Sequence, residues 1–276
     1  MDREILTREY SPSSCIDDVG VYIRAYENQS RAACEMLAAN CHKNIKYGPE
    51  PRSALDIFVP DGTGPFPVHV FIHGGYWQEL SKAESIFAAP NFLDHNIIFI
   101  ALDYTLAPAA SLGQIIDQVR RGVGWIADNI ADYGGSRNNI TLSGSSAGAH
   151  LVAETLAEYH QGKSPVKAAC MVSGIYDLRP LVGTYVNEPL RMTTADAVRF
   201  SPLFHIPLPS CPVIFSHGGN ETNEFKRQTR DYMRAWQKAG NSAHFVDMPA
   251  FNHFDIILEL NNKNSPLFKA LASLIL

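Results

Sequence analysis

Gly144-Ser145-Ser146-Ala147-Gly148 sets a serine between two glycines, each two residues away from it. The strand-like run Ile140, Thr141, Leu142 precedes the motif and a helical stretch follows, so the spacing reads as a sharp strand-to-helix turn with Ser146 at its tip. Side chains at 144 and 148 would clash as the backbone doubles back, which is why glycine is needed at both. A hydroxyl presented in this way suits nucleophilic attack on a carbonyl carbon. Such an attack creates an oxyanion that needs hydrogen-bond donors. His73-Gly74-Gly75-Tyr76-Trp77, directly after the apolar run Val68 to Ile72, has the flexibility to bring backbone N–H groups close to a substrate oxygen. The expected donors are the amides of Ala147 and Gly75, with Gly74 or Tyr76 adding a third. The alternative for this loop is a plain Gly-Gly turn over a packed His73.

A nucleophilic serine requires a base, and the base an orienting acid. Among ten histidines, His253 is best placed, in a loop after the last predicted strand and just before a helix. His217 follows the preceding strand, where the acid belongs; His244 falls within a strand, and His150 is expected to pack on the helix after Ser146. For the acid, Glu221 lies early in the loop after Ser216, whereas Glu224 already falls in the opening turn of a helix, where a carboxylate favours the positive dipole end. Asp177, also after a strand end, is the alternative, and Asp255 a third.

Tyr76, Trp77, Tyr104, Tyr176 and Phe251 flank these positions in sequence and, with Ser145, are the expected substrate-binding residues. An aromatic lining would suit an aryl or other planar substrate. Packing in the core is the competing role, above all for Tyr104 and Phe251. Arg179, Arg191 and Arg199 are available to pair with a substrate carboxylate.

The elements that must hold these residues alternate between strand and helix, which predicts a mostly parallel sheet. Strands are expected at Leu55 to Val59, Val68 to Ile72, Ile97 to Leu102, Lys167 to Val172, Pro212 to Ser216 and His244 to Asp247. Val19, Tyr22, Ile23 and Tyr26 recur at helical spacing and open an N-terminal helix running to about Ala39. A long crossover helix carries Leu112, Ile115, Ile116, Val119, Val123, Ile126 and Ile130 on one face and ends at Gly134-Gly135. Further helices are read after Ser146, around Phe225 to Trp236, and from Ser265-Pro266 onward. Residues 177–209 show little periodicity and hold five prolines, which makes them a candidate lid or substrate-binding excursion.

With 276 residues, 46% of them hydrophobic, and no evident linker, the chain reads as a single domain over 1–276. A net charge of −5 without a basic run argues against nucleic acid as a partner. The charged amino terminus and the lack of a long apolar stretch argue against a membrane and for the cytoplasm. Five cysteines without a CxxC pair point to free thiols rather than disulfides or a thiolate metal site. No metal or organic cofactor is expected.

Taken together, HGGYW, LDYTLAP at 102–108, GSSAGAHL at 144–151, SGIYDLRPL at 173–181, NETNEF at 220–225 and NHFDII at 252–257 resemble the kynurenine formamidase (arylformamidase) branch of the α/β-hydrolases, related to the hormone-sensitive-lipase group. The likeness extends over nearly the whole chain, including REYSPSS and YGPEPRSALDIFVP. It implies an α/β-hydrolase fold, Ser146, Glu221 and His253 as nucleophile, acid and base, and HGGYW as the oxyanion loop. Two positions depart from the family pattern: Ser145 stands where histidine is common, and Glu221 where aspartate is common.

The resemblance implies a serine hydrolase that cleaves a small amide or ester, with N-formylkynurenine or a similar formamide as the expected substrate and a homodimer as an open possibility. A carboxylesterase or thioesterase would use the same groups. A non-catalytic ligand receptor built on this fold is the alternative of another class.

Overall fold

The computed structural model describes residues 2–159 and 164–276. In chain order its helices and strands are α1 (Arg3–Glu9), α2 (Val19–Met36), β1 (Cys41–Lys46), β2 (Ala54–Phe58), β3 (Phe66–Ile72), α3 (Ala89–Leu93), β4 (Ile98–Leu102), α4 (Leu112–Asn129), β5 (Gly135–Ser145), α5 (Ala147–Glu158), β6 (Val166–Val172), α6 (Asn187–Leu190), α7 (Thr194–Arg199), β7 (Val213–Asn220), α8 (Asn223–Lys238), β8 (Ala243–Asn252) and α9 (Pro266–Ile275). One eight-stranded sheet runs in the order β1-β2-β4-β3-β5-β6-β7-β8. Strands β3 to β8 are mutually parallel, while β2 runs antiparallel to β4 and to β1. The alternating pattern anticipates this mostly parallel sheet, and the resemblance implies its α/β-hydrolase form.

Central strands are buried on both faces because helices cover both sides of a parallel sheet. All five residues of β4 are buried, as are Leu142 on β5, Ala169 and Met171 on β6, and Phe215 on β7. One apolar layer collects α4, α5 and α8; the other collects α2, α3 and α9, with Phe92, Phe99 and Phe268 at its centre. Helix α4 begins with a capping box between Ser111 and Gln114 and buries Ile115, Val119, Val123 and Ile126 on one face, as the periodicity predicts.

Several boundaries differ from the sequence reading. β1 was not anticipated: CHKNIK is polar, exposed along most of its length, and forms an edge whose register shifts between His42 and Ile45. β8 extends to Asn252 rather than ending at Asp247, which carries the chain directly to His253. The irregular segment 177–209 contains two short helices, α6 and α7, with a 3-10 turn before the first and another after the second.

Candidate active site

The C-terminal ends of β3, β5, β7 and β8 converge, as expected for a ligand crevice in a sheet of this kind. Ser146 occupies the turn between β5 and α5 with φ 56° and ψ −120°, a left-handed backbone that a non-glycine residue adopts only when its surroundings enforce it. Its N–H donates to the Val172 carbonyl at 2.9 Å. The two glycines are required as the motif suggests: a Cβ on Gly144 would lie 2.4 Å from the carbonyl of Gly148.

The HGGYW loop is locked from below. His73 stacks on Tyr104 with ring centroids 4.1 Å apart and planes 7° apart, and the Tyr104 hydroxyl donates to the His73 carbonyl at 2.9 Å. The His73 ring nitrogens meet Asp103 Oδ1 at 3.2 Å and the Gly74 carbonyl at 2.9 Å. Asp103 also accepts from Arg52 Nη2 at 2.7 Å. Burial alone would raise the Asp103 carboxyl, but the hydrogen bonds and charges of His73 and Arg52 outweigh it and hold it below its ordinary value. Gly74 is pressed against the elbow, since a Cβ there would meet the Ser145 carbonyl at 2.8 Å and the Ser146 Cβ at 3.4 Å. Among the described residues, no backbone carbonyl accepts from the amides of Gly74 or Gly75. Gly75, Tyr76 and Trp77 all have positive φ and so form a tight turn, and Gly75 and Tyr76 line the same cavity as Ser146.

His253 follows β8 immediately, and its Nδ1 lies 2.9 Å from Glu221 Oε2. The other oxygen, Oε1, accepts from Ser173 Oγ at 2.6 Å and from the Gly218 amide at 2.5 Å. Burial would push the Glu221 carboxyl up; the His253 partner and the two donors prevail and hold it low, so it remains a carboxylate. The Phe225 ring meets His253 edge-on at 4.4 Å. The other candidate acids are engaged elsewhere. Asp177 pairs with Arg179, Glu224 with Tyr10 and Arg227, and Asp255 with Asn252.

Ser145, Ser146, Tyr76 and His253 line one cavity of about 280 Å³. Much of its lining is apolar, with Val19, Ile23, Tyr26, Phe71, Phe87 and Ile257, and Glu79 and Glu84 are the carboxylates among it. The sequence reading of the binding residues needs correction here. Trp77, Tyr104 and Tyr176 are fully buried and absent from the lining, because the HGGYW loop and the strand ends turn these rings into the core. Phe251 packs against the layer formed by α2, α3 and α9. Arg191 and Arg199 open onto a different cleft beside α4, and Arg179 is held by Asp177. The N-terminal wall was missed as a wall, although its signal, the helical spacing of Val19, Ile23 and Tyr26, was legible. From the 177–209 segment, Tyr185 and Val186 reach the cavity.

Among the described residues no cluster of three or more His, Cys, Asp or Glu is arranged to hold a metal, and no helix is long and apolar enough to cross a membrane.

The BD-FAE family model matches residues 55–234. The chain is 34% identical to a kynurenine formamidase from Danio rerio, over 100% of this chain and 97% of that protein. It is 28% identical to an isoprenylcysteine alpha-carbonyl methylesterase from Arabidopsis thaliana, over 84% of this chain and 61% of that one. Among solved structures, a candidate thioesterase from Silicibacter superposes with a TM-score of 0.85 at 26% identity, covering 98% of both chains. An esterase from Pyrobaculum calidifontis shares the fold with a TM-score of 0.76 at 18% identity, covering 99% of this chain and 96% of that one.

Proposed function

The chain belongs to the kynurenine formamidase family of α/β-hydrolases and is a hydrolase, and from that premise we propose that Ser146, His253 and Glu221 cleave a formamide by two-step acyl transfer. The observation that carries this reading is the 2.9 Å contact of His253 Nδ1 with a buried carboxylate, in a cavity that also opens onto the strained Ser146. In this reading Glu221 takes up Nδ1 of the imidazole and leaves Nε2 as the base for the serine hydroxyl. Ser146 Oγ attacks the formyl carbon as its proton passes to His253, and the amides of Ala147, Gly75 and Gly74 or Tyr76 stabilise the oxyanion. Collapse of the intermediate breaks the C–N bond while His253 protonates the departing nitrogen. Water, activated by the same histidine, then releases formate from Ser146.

N-formylkynurenine is the proposed substrate, supported by the names of the vertebrate relatives and by a cavity whose apolar wall suits an aryl group. The test compares kcat/KM for N-formylkynurenine with that for p-nitrophenyl acetate, using Ser146→Ala as the blank. Formamide preference supports the proposal. A Ser146→Ala protein with near-normal turnover overturns the nucleophile assignment.

An uncharged ester is the second reading, favoured by one observation: among the described residues, no lysine or arginine lines the cavity. Strong ester preference with the formamide barely touched would select it. The free thiols fit a reducing compartment and support a cytoplasmic setting. A single domain over 1–276 is part of the proposal; the oligomeric state is left to sedimentation of the purified chain.

A further inference from the structure

Residues 9–26 lie outside the span matched by the family model and supply none of the groups proposed for catalysis, yet they are bonded to the loops that carry those groups. The Tyr76 hydroxyl, in the oxyanion loop, donates to the Tyr10 carbonyl at 2.5 Å. The Tyr10 hydroxyl donates to Glu224 Oε2 at 2.7 Å and accepts from Gln228 Nε2 at 2.9 Å. Thr222, next to Glu221, donates from its hydroxyl to the Glu9 carbonyl at 2.6 Å. Farther along, the Tyr26 hydroxyl donates to the Phe254 carbonyl at 2.5 Å, beside His253. Tyr10 itself is completely buried.

We propose that Tyr10 is a positioning residue: its carbonyl and hydroxyl form a clasp that ties the oxyanion loop at Tyr76 to the first turn of α8 at Glu224, three residues after Glu221, and so sets where the HGGYW amides stand relative to the Glu221–His253 pair. The inference rests on the acyl-transfer reading of the site. Two physical points carry it. First, Tyr76 and Trp77 have φ of 48° and 60°, conformations that persist only where neighbouring contacts impose them. Tyr76 is attached to the rest of the molecule at its outer end through the Tyr10 carbonyl. Second, oxyanion donors must be held to within about 0.5 Å of the productive geometry, which a glycine-rich loop does not achieve unaided. The clasp joins a loop and a helix start far apart in sequence with one residue, so it restrains their separation directly.

Tyr76→Phe and Tyr10→Phe test this, because each removes one link while leaving the rings in place. Tyr10→Phe strands no buried carboxylate or amide, since Glu224 keeps Arg227 and Gln228 keeps the Asp177 carbonyl; Tyr76→Phe leaves the Tyr10 carbonyl without its hydroxyl donor. The expected result for each single variant is a fall in kcat on the order of tenfold with KM within about twofold of wild type; Tm changes little in Tyr10→Phe and falls modestly in Tyr76→Phe, which leaves a buried carbonyl unpaired. The double variant should be no slower than the worse single one, since the two bonds are links of one chain. Unchanged kcat with a lowered Tm would make the clasp purely structural and overturn the proposal. So would additive losses in the double variant. If Tyr10→Phe fails to fold, Tyr76→Phe carries the same decision through its kcat. Ser146→Ala is measured alongside; turnover surviving in it defeats the acyl-transfer reading and is distinguishable from a failure of the clasp.

Discussion

Gly148 packs its bare α-carbon against the carbonyl of Ile72, so closely that a Cβ would lie 2.1 Å from that oxygen. The contact joins the first turn of α5 to the end of β3, where the HGGYW loop begins. Gly148→Ala therefore cannot be absorbed by a side-chain rotation; backbone has to move. The expected loss is about 3 kcal/mol or more, read as a lowered denaturation midpoint in urea. A midpoint within error of wild type would show that the two elements are less tightly apposed.

Replacing Glu221 by Gln keeps the shape of the loop but substitutes an amide for the carboxylate that faces His253 Nδ1. The amide can present a donor to that nitrogen and favour the wrong tautomer. We expect kcat to fall by about 10³-fold or more with little change in KM. The same substitution at Glu224, which faces Tyr10 and Arg227, should cost far less.

Asp103 supplies a pH dependence of stability. Its carboxyl is held below its ordinary value in the fold, so it contributes stability above the unfolded value of about 3.9, and that contribution disappears as the pH falls through the lower native value. Asp103→Asn should unfold at a lower temperature than wild type at pH 7, with a gap that narrows below about pH 4. A gap constant from pH 7 to pH 3 would contradict the assignment.

Charge on the substrate is a further discriminator. The cavity wall built from Val19, Ile23, Phe71 and Phe87 offers nothing to pair with an anion. Blocking the carboxylate of an N-formylkynurenine-type substrate as its amide should thus change KM by less than about threefold, well under what losing a charge-assisted hydrogen bond would produce. A tenfold or larger rise in KM would reveal a cationic partner for the carboxylate.

The features legible in the sequence were those fixed by local rules. Gly144 and Gly148 announce the elbow because the turn excludes side chains there, and the helix and strand periods give most of the sheet. Aromatic residues beside the motifs were misplaced because sequence adjacency does not say which way a ring turns. Trp77 follows Tyr76 directly, yet Tyr76 faces the cavity and Trp77 the core. The role of Tyr10 was hidden for a different reason: its partner Glu224 lies 214 residues away, and no periodicity reports such a contact. Likewise β1 and the end of β8 are edge segments with polar, exposed positions, so burial leaves little imprint on their composition.

The polar edge formed by β1 bears on solubility. A long flat edge would offer unpaired backbone groups to any passing strand, inviting aggregation. Here Lys43 and Lys46 project from a strand whose ladder is interrupted between His42 and Ile45, with Asn44 at φ 56° and its amide turned to the Asp56 carboxylate. The interruption and the two ammonium groups discourage a foreign strand from adding on. This margin of the sheet is thereby protected against fibril-like growth.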